Sequence, residues 1–275
     1  MFLRPQLKSV FIVLALNTPY AIGADVFRVC ADPYNLPSSN KTGEGYENEI
    51  ARLFAGDLRL PLKFVWFPQR IGFIRNTLYN RNTADGSYKC DIVMGVPEKF
   101  ELTATSKAYM RTSWALVYVR GRALGDVRDA EDLLALPGAR LRALKIGSFD
   151  RSPANAWMAK RGLLGNLRPY QSMSGDVRAY PGLVIANDLL GGAIDALFVF
   201  GPIAGYFASR LTDSELVVLP MQNNSGRFEY QLAMGVRHGE SNWLVKINAL
   251  IDKHQERINR ILTSYGVPLL PLISD

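Results

Sequence analysis

The stretch "FRVCADPYNLPSSN", residues 27–40, starts as an apolar run and turns into a polar loop. Asp32 offers a carboxylate and Asn35 an amide, while the prolines stiffen the chain around them. Such groups close local turns or hydrogen-bond a ligand at a strand end, and the sequence leaves both uses open. Three further stretches have the same form. "FPQRIGF" sets Gln69 and Arg70 after a second apolar run, and "GVPEKF" sets Pro97 after a third. "FGPIAGYF" sets Phe200, Gly201 and Tyr206 at the start of a helix. Glycine allows close backbone approach at such loops, and helix starts can receive an anion. These eight residues are the expected contacts of a ligand or partner.

Catalysis needs more than this. Asp32, Asp91, Asp150 and Asp195 lie at or beside strand ends, where a carboxylate enclosed in a cleft could do acid–base work. Capping helices and tying loops is the commoner use of such residues. His238 precedes the last helix and His254 lies on it among charged residues; both are expected on the solvated surface. There is no H-E-x-x-H, no paired C-x-x-C, no Walker loop and no G-x-S-x-G. A binding protein is expected rather than an enzyme, with no catalytic residue, metal or cofactor.

The elements that must position these residues alternate. "VFRVCA", "LKFVWF" and "CDIVMG" read as strands, separated by "GYENEIARLFAGDL" and "IGFIRNTLY" with helical spacing. This βαβαβ order predicts a parallel sheet covered by helices. "SWALVYVR" follows as a strand, and a second series begins with the short helix "DAEDLLAL" and the strand "ARLRALKIG". Helix "SPANAWMAKRG", helix "GLVIANDLLGG", strand "IDALFVF", helix "GPIAGYFASRL" and strand "ELVVLP" continue it. A return strand and a long helix from Asn242 to Gly266 close the chain. The fold class is therefore α/β, with two lobes facing a cleft. Lobe 1 comprises 24–118 and 223–275, lobe 2 comprises 119–222, and hinges are expected near 118–122 and 219–223.

The chain has 275 residues, 48% of them hydrophobic, enough for a core in each lobe. Residues 1–23 read as a signal peptide: Arg4 and Lys8, a short apolar run, then Ala21 and Gly23 before the cut. That run is shorter than the roughly 20 residues needed to span a bilayer, so a soluble, exported protein without membrane insertion is expected. Loss of Arg4 and Lys8 lowers the net charge of +7 to about +5. The cations are interspersed with acids, which argues against nucleic-acid binding. Cys30 and Cys90 could form one disulfide in an oxidising compartment. If both lie in neighbouring parallel strands, their offset could exceed the ~7 Å limit, and two buried thiols are the alternative.

The two-lobe pattern resembles the type II periplasmic binding fold, whose return strand and last helix are matched by "LAMGVRHGESNWLVKINALID". More narrowly, "RVCADPYNLPSSN", "FPQRIGFIRNTL", "CDIVMGVP", "IDALFVFGPIAGYFA" and "YGVPLLP" resemble, in order along nearly the whole chain, the MoxJ and XoxJ type of protein associated with methanol dehydrogenase. Phe200 stands where that group usually has Trp. The resemblance implies an accessory role in maturing or activating a periplasmic PQQ-dependent methanol dehydrogenase, with that enzyme, and its cytochrome c, as partners. Trp66, Trp114, Phe200 and Tyr206 would then be apolar contacts. Amino-acid-binding relatives carry an Arg after the third strand, and this chain has Lys99 as its nearest cation there, which disfavours an amino-acid receptor. A solute receptor for a small polar metabolite, and a lyase or dehydratase on the same fold, are the alternatives.

Overall fold

The computed structural model describes residues 26–125, 127–176, 178–211, 216–222 and 227–273. The expected leader, and Asn223 at the edge of the second hinge, lie outside the described residues. The first part contains β1 (Phe27–Ala31), the small hairpin β2 (Tyr34–Asn35) and β3 (Ser39–Asn40), α1 (Tyr46–Leu58), β4 (Leu62–Trp66), the single turn α2 (Phe73–Asn76), β5 (Ile92–Pro97) and β6 (Ala104–Thr105). The ten-residue strand β7 (Met110–Val119) leads into α3 (Gly138–Ala143), β8 (Ile146–Phe149), α4 (Pro153–Lys160), β9 (Leu167–Tyr170) and the short α5 (Gly182–Val184). Then come β10 (Ala196–Phe200), α6 (Gly201–Arg210), β11 (Leu216–Pro220), β12 (Glu229–Val236) and the 24-residue α7 (Ser241–Ser264).

β1 pairs in parallel with β4 and β5, and β12 returns antiparallel between β5 and β7. β8 pairs in parallel with β9 and β10, while β7 runs antiparallel to β10 and β11. These are the two lobes of a type II periplasmic binding fold. They share β7. Met110–Ser113 pair with β12 in the first sheet, and Trp114–Val119 pair with β10 or β11 in the second. The outward crossing thus falls at Ser113–Trp114, several residues before the expected 118–122, because one unbroken strand changes partners without a turn. β11 ends at Pro220 in the second sheet, and β12 begins at Glu229 in the first. Trp114 ties the two together: its N–H donates to the Phe228 carbonyl at 2.9 Å, and its carbonyl accepts from the Met221 N–H at 2.7 Å.

Each sheet is covered on both faces. α1 and α7 lie over one face of the first sheet with Phe27, Ile50, Phe54, Ile92, Met234, Ile247 and Ile258 buried between them. The buried positions of α7, Ile247, Leu250, Ile251, His254, Ile258 and Leu262, follow the helical repeat that makes one apolar stripe. Full burial of each such aliphatic chain contributes roughly 1.5–3 kcal/mol. α2 covers the other face with Leu78, Cys30 and Cys90. α1 can begin where it does because residue 45 is glycine: a Cβ there would lie 2.2 Å from the Ser38 carbonyl. Asn48 then caps the helix by accepting the Gly45 N–H at 3.0 Å.

Cys30 and Cys90 are joined, with Cα atoms 5.6 Å apart. The doubt about offset fails because Cys90 is not part of β5. Cys30 is level with Val93, three residues further on, so an extended approach would put Cys90 about 10 Å back along the strand. The chain instead bends before Asp91 and brings Cys90 over Cys30. Two other sequence expectations change. Residues 138–143 are helical and only Ile146–Phe149 form the strand; and β9, read as a loop, pairs beside β8.

Candidate functional site

The polar loops after β1 and β4 are held by Asp32. Its carboxylate accepts the Tyr34 N–H at 2.7 Å with one oxygen and the Gln69 N–H at 2.6 Å with the other. Its carbonyl accepts the Ser39 hydroxyl at 2.8 Å. Asp32 is buried, and both carboxylate oxygens are bound to backbone, so it positions the loops. Asn35 donates from its amide to Gln69 Oε1 at 3.0 Å, completing the link.

Arg70 reaches across to the second lobe. Its guanidinium donates to the carbonyls of Ser174 at 3.3 Å, Asp176 at 3.2 Å and Ala179 at 2.9 Å. Asp32, Asn35, Gln69 and Arg70 therefore meet Ser172, Ala179, Tyr180 and Pro181 around a polar cavity of about 150 Å³. Arg70 closes the cleft at this point. Arg70→Ala is expected to open the lobes, seen as a larger radius of gyration in X-ray scattering; an unchanged scattering curve would contradict the clasp.

Beside this cavity runs a larger apolar groove of about 520 Å³. Pro97 lines it with Ile71, Phe73, Val96, Phe100 and Leu102, and Met173 closes it from the second lobe. Ile71 is 78% exposed, Leu102 56% and Met173 45%. Three large apolar side chains are thus exposed around one groove.

Five of the eight expected residues are thus brought to one region, and three are not. Phe200 meets the edge of Trp114 at 6.3 Å. A Cβ on Gly201 would fall 2.3 Å from the Ser113 carbonyl and 2.9 Å from the Pro268 ring. Tyr206 stacks on Tyr265 at 6.1 Å. These residues pack α6 against the shared strand and the C-terminal segment; the glycine serves close packing there. Trp66 stacks on Phe64 at 5.0 Å along the same strand.

Glu47, the second residue of α1, was not singled out by its sequence context. A Cβ at Gly95, whose φ is +69°, would stand 2.7 Å from Glu47 Oε1, so glycine makes room for the carboxyl group. Burial, with the nearby Asp32 charge in second place, pushes the Glu47 pKa up to about 8. The Tyr109 hydroxyl is also close to Gly95, and burial raises its pKa well above the usual tyrosine value, with the Glu47 and Tyr46 charges adding to the shift. Nothing in "GYENE" distinguishes this glutamate from an ordinary first-turn acid.

The other candidate acids work structurally. Asp91 accepts the Arg28 N–H at 2.9 Å and lies 3.7 Å from Arg237; Asp150 accepts the Ser172 N–H; Asp195 accepts the Lys145 N–H at 2.8 Å. His238 Nε2 lies 3.0 Å from the Glu101 carbonyl. His254 corrects the surface expectation: it is buried against Phe54, 3.5 Å from Asp57 Oδ1, because its turn of α7 faces α1. Among the described residues no three His, Cys, Asp or Glu side chains group as metal ligands, and no helix is long and apolar enough to cross a membrane.

Two α/β lobes on a shared strand, clasped over a cleft, make the fold of the periplasmic binding proteins. Within it the chain is similar to MoxJ of Paracoccus denitrificans, at 24% identity over 94% of each chain, and to MoxJ of Methylorubrum extorquens, at 26% over 90% of this chain and 83% of that one. Among solved structures it resembles the periplasmic binding protein XoxJ of Methylobacterium extorquens, at 29% identity and a TM-score of 0.71, covering 90% of this chain and all of that one. MxaJ of Methlophaga aminisulfidivorans shares the fold at 23% identity and the same TM-score, covering 89% of this chain and all of that one. An ancestral amino acid-binding protein, a precursor of cyclohexadienyl dehydratase, shares it at 19% identity and a TM-score of 0.60, covering 88% and 95%. No family model matches the chain. The MoxJ and XoxJ resemblance, the fold class and the periplasmic setting read from the sequence agree with these likenesses.

Proposed function

We propose that this chain is a periplasmic accessory protein of a quinoprotein methanol dehydrogenase, and that its apolar cleft groove holds a segment of that enzyme during maturation or activation. The observation that carries the reading is the contrast between the two cavities. The polar one, at about 150 Å³, is smaller than the roughly 300–1,000 Å³ typical of small-molecule sites. The groove beside it is larger, open and apolar, and its rim presents Ile71, Leu102 and Met173 to solvent. Apolar side chains in such a groove anchor protein segments. The likeness to MoxJ and XoxJ proteins supports the choice of partner, and its cytochrome c is a second candidate.

Ile71→Glu/Leu102→Glu places two charges in the groove and is expected to weaken capture of the purified dehydrogenase by about tenfold or more. Both sites are exposed, so the fold is expected to persist. Capture at wild-type strength would reject the proposal. A solute receptor is the alternative reading, since the polar cavity touches both lobes. It requires one periplasmic metabolite that raises the melting temperature of the wild type but leaves Asn35→Ala unchanged.

A further inference from the structure

Away from the cleft, α1 and α7 lie antiparallel. The Tyr265 hydroxyl hydrogen-bonds Glu49 near the start of α1, and Lys253 and His254 meet Asp57 near its end. Between the helices is a shallow groove of about 530 Å³ with Leu53 and Ile261 in its lining. Arg52 from α1 and Arg257 and Arg260 from α7 surround it, all exposed.

Little in the fold compensates these charges. Arg52 donates to the Gly43 carbonyl. Arg260 lies 3.9 Å from Glu256, whose side chain is 94% exposed, and a pair so solvated contributes little. Arg257 makes no ion pair among the described residues. Glu49, the one acid lining the groove, is bound to Tyr265, and Asp57 is held by Lys253. Arg257 and Arg260, three residues apart, share one face of α7 and look across the groove at Arg52. Like charges gathered on one face repel each other, and an external counter-charge offsets that cost.

We propose that the α1–α7 groove is a second docking site, for a protein segment that carries acidic residues around an apolar one. Guanidinium forks match carboxylates with two hydrogen bonds each, which gives the preference for Glu and Asp. Leu53 and Ile261 supply apolar surface that a simple anion would leave unused. The net charge of about +5 expected once residues 1–23 are removed favours the same partner at longer range. The proposal is independent of what the cleft holds.

Its test is fluorescence anisotropy of the mature protein with a labelled peptide of repeated Glu-Glu-Leu units, with Gln-Gln-Leu and poly-glutamate peptides as controls. The Glu-Glu-Leu peptide is expected to bind about tenfold tighter than either control and to weaken with salt. Arg52→Glu/Arg257→Glu/Arg260→Glu is expected to lose about tenfold or more of that affinity, and Arg257→Gln alone a few-fold. Ile71→Glu/Leu102→Glu should bind the peptide like the wild type. Equal affinity for Gln-Gln-Leu, equal affinity for poly-glutamate, or undiminished binding by Arg257→Gln would each overturn the proposal; the second would leave a general anion patch only.

Discussion

The double variant Cys30→Ala/Cys90→Ala is expected to melt roughly 10 °C below the oxidised wild type. The bond closes a loop with a sequence separation of 60. Confining the unfolded chain over that length is worth about 4 kcal/mol, and each kcal/mol moves the midpoint by about 2–4 °C in a chain of this size. Alanine avoids burying a new hydroxyl, and both positions are nearly inaccessible, at 1% and 0%. The effect should also reach the cleft. Cys30 is two residues before Asp32, which fixes the β1 and β4 loops, and the Cys90 carbonyl accepts from the buried Arg237. The wild type in reductant should behave like the variant. A midpoint within about 3 °C of the oxidised protein would show that packing of Leu78, Phe73 and Ile74 alone holds this region.

Much of this arrangement is legible in the sequence because its signals are local. Apolar runs ending in Asp-Pro, Pro-Gln-Arg and Val-Pro mark strand ends, and parallel strands deliver their ends to the same side. That logic gathers Asp32, Asn35, Gln69, Arg70 and Pro97. It fails for Phe200, Gly201 and Tyr206, whose loop has the same composition but lies against β7 and the chain after α7. What surrounds a loop depends on contacts remote in sequence. The shared strand shows the same limit: "MRTSWALVYV" is one uninterrupted run, and nothing in it marks the change of partner after Ser113. In "ARLRALKIG" the alternation of Leu and Arg satisfies a strand repeat over a few residues, yet the stretch after Pro137 winds as a helix. β9 contains Pro169, which an edge strand tolerates and a sequence reader counts against any strand. The apolar groove is assembled from α2, β5, the loop after it and Met173, so no single stretch announces it.

Glu47→Gln is expected to stabilise the protein at alkaline pH and to change little near pH 4.5. Burial, reinforced by Asp32, raises the folded-state pKa from 4.5 to about 8. Between those values the folded chain holds a proton that the unfolded chain has released, so the stability this group confers is full below pH 4.5 and is lost as pH rises through about 8. Over the whole window the linkage amounts to at most about 5 kcal/mol. Glutamine keeps the shape and cannot ionise, so the variant escapes that loss. The difference in melting temperature, variant minus wild type, should therefore grow from near zero at pH 4.5 to several degrees above pH 8. Two parallel pH profiles would mean that Glu47 is solvated and ordinary. The same titration bears on binding. Glu47 packs against Gly95, which lines the apolar groove, so at neutral pH the groove is backed by a neutral acid, and above pH 8 by a charge. An apolar segment held there should be released as pH rises through about 8 in the wild type, whereas Glu47→Gln should retain it.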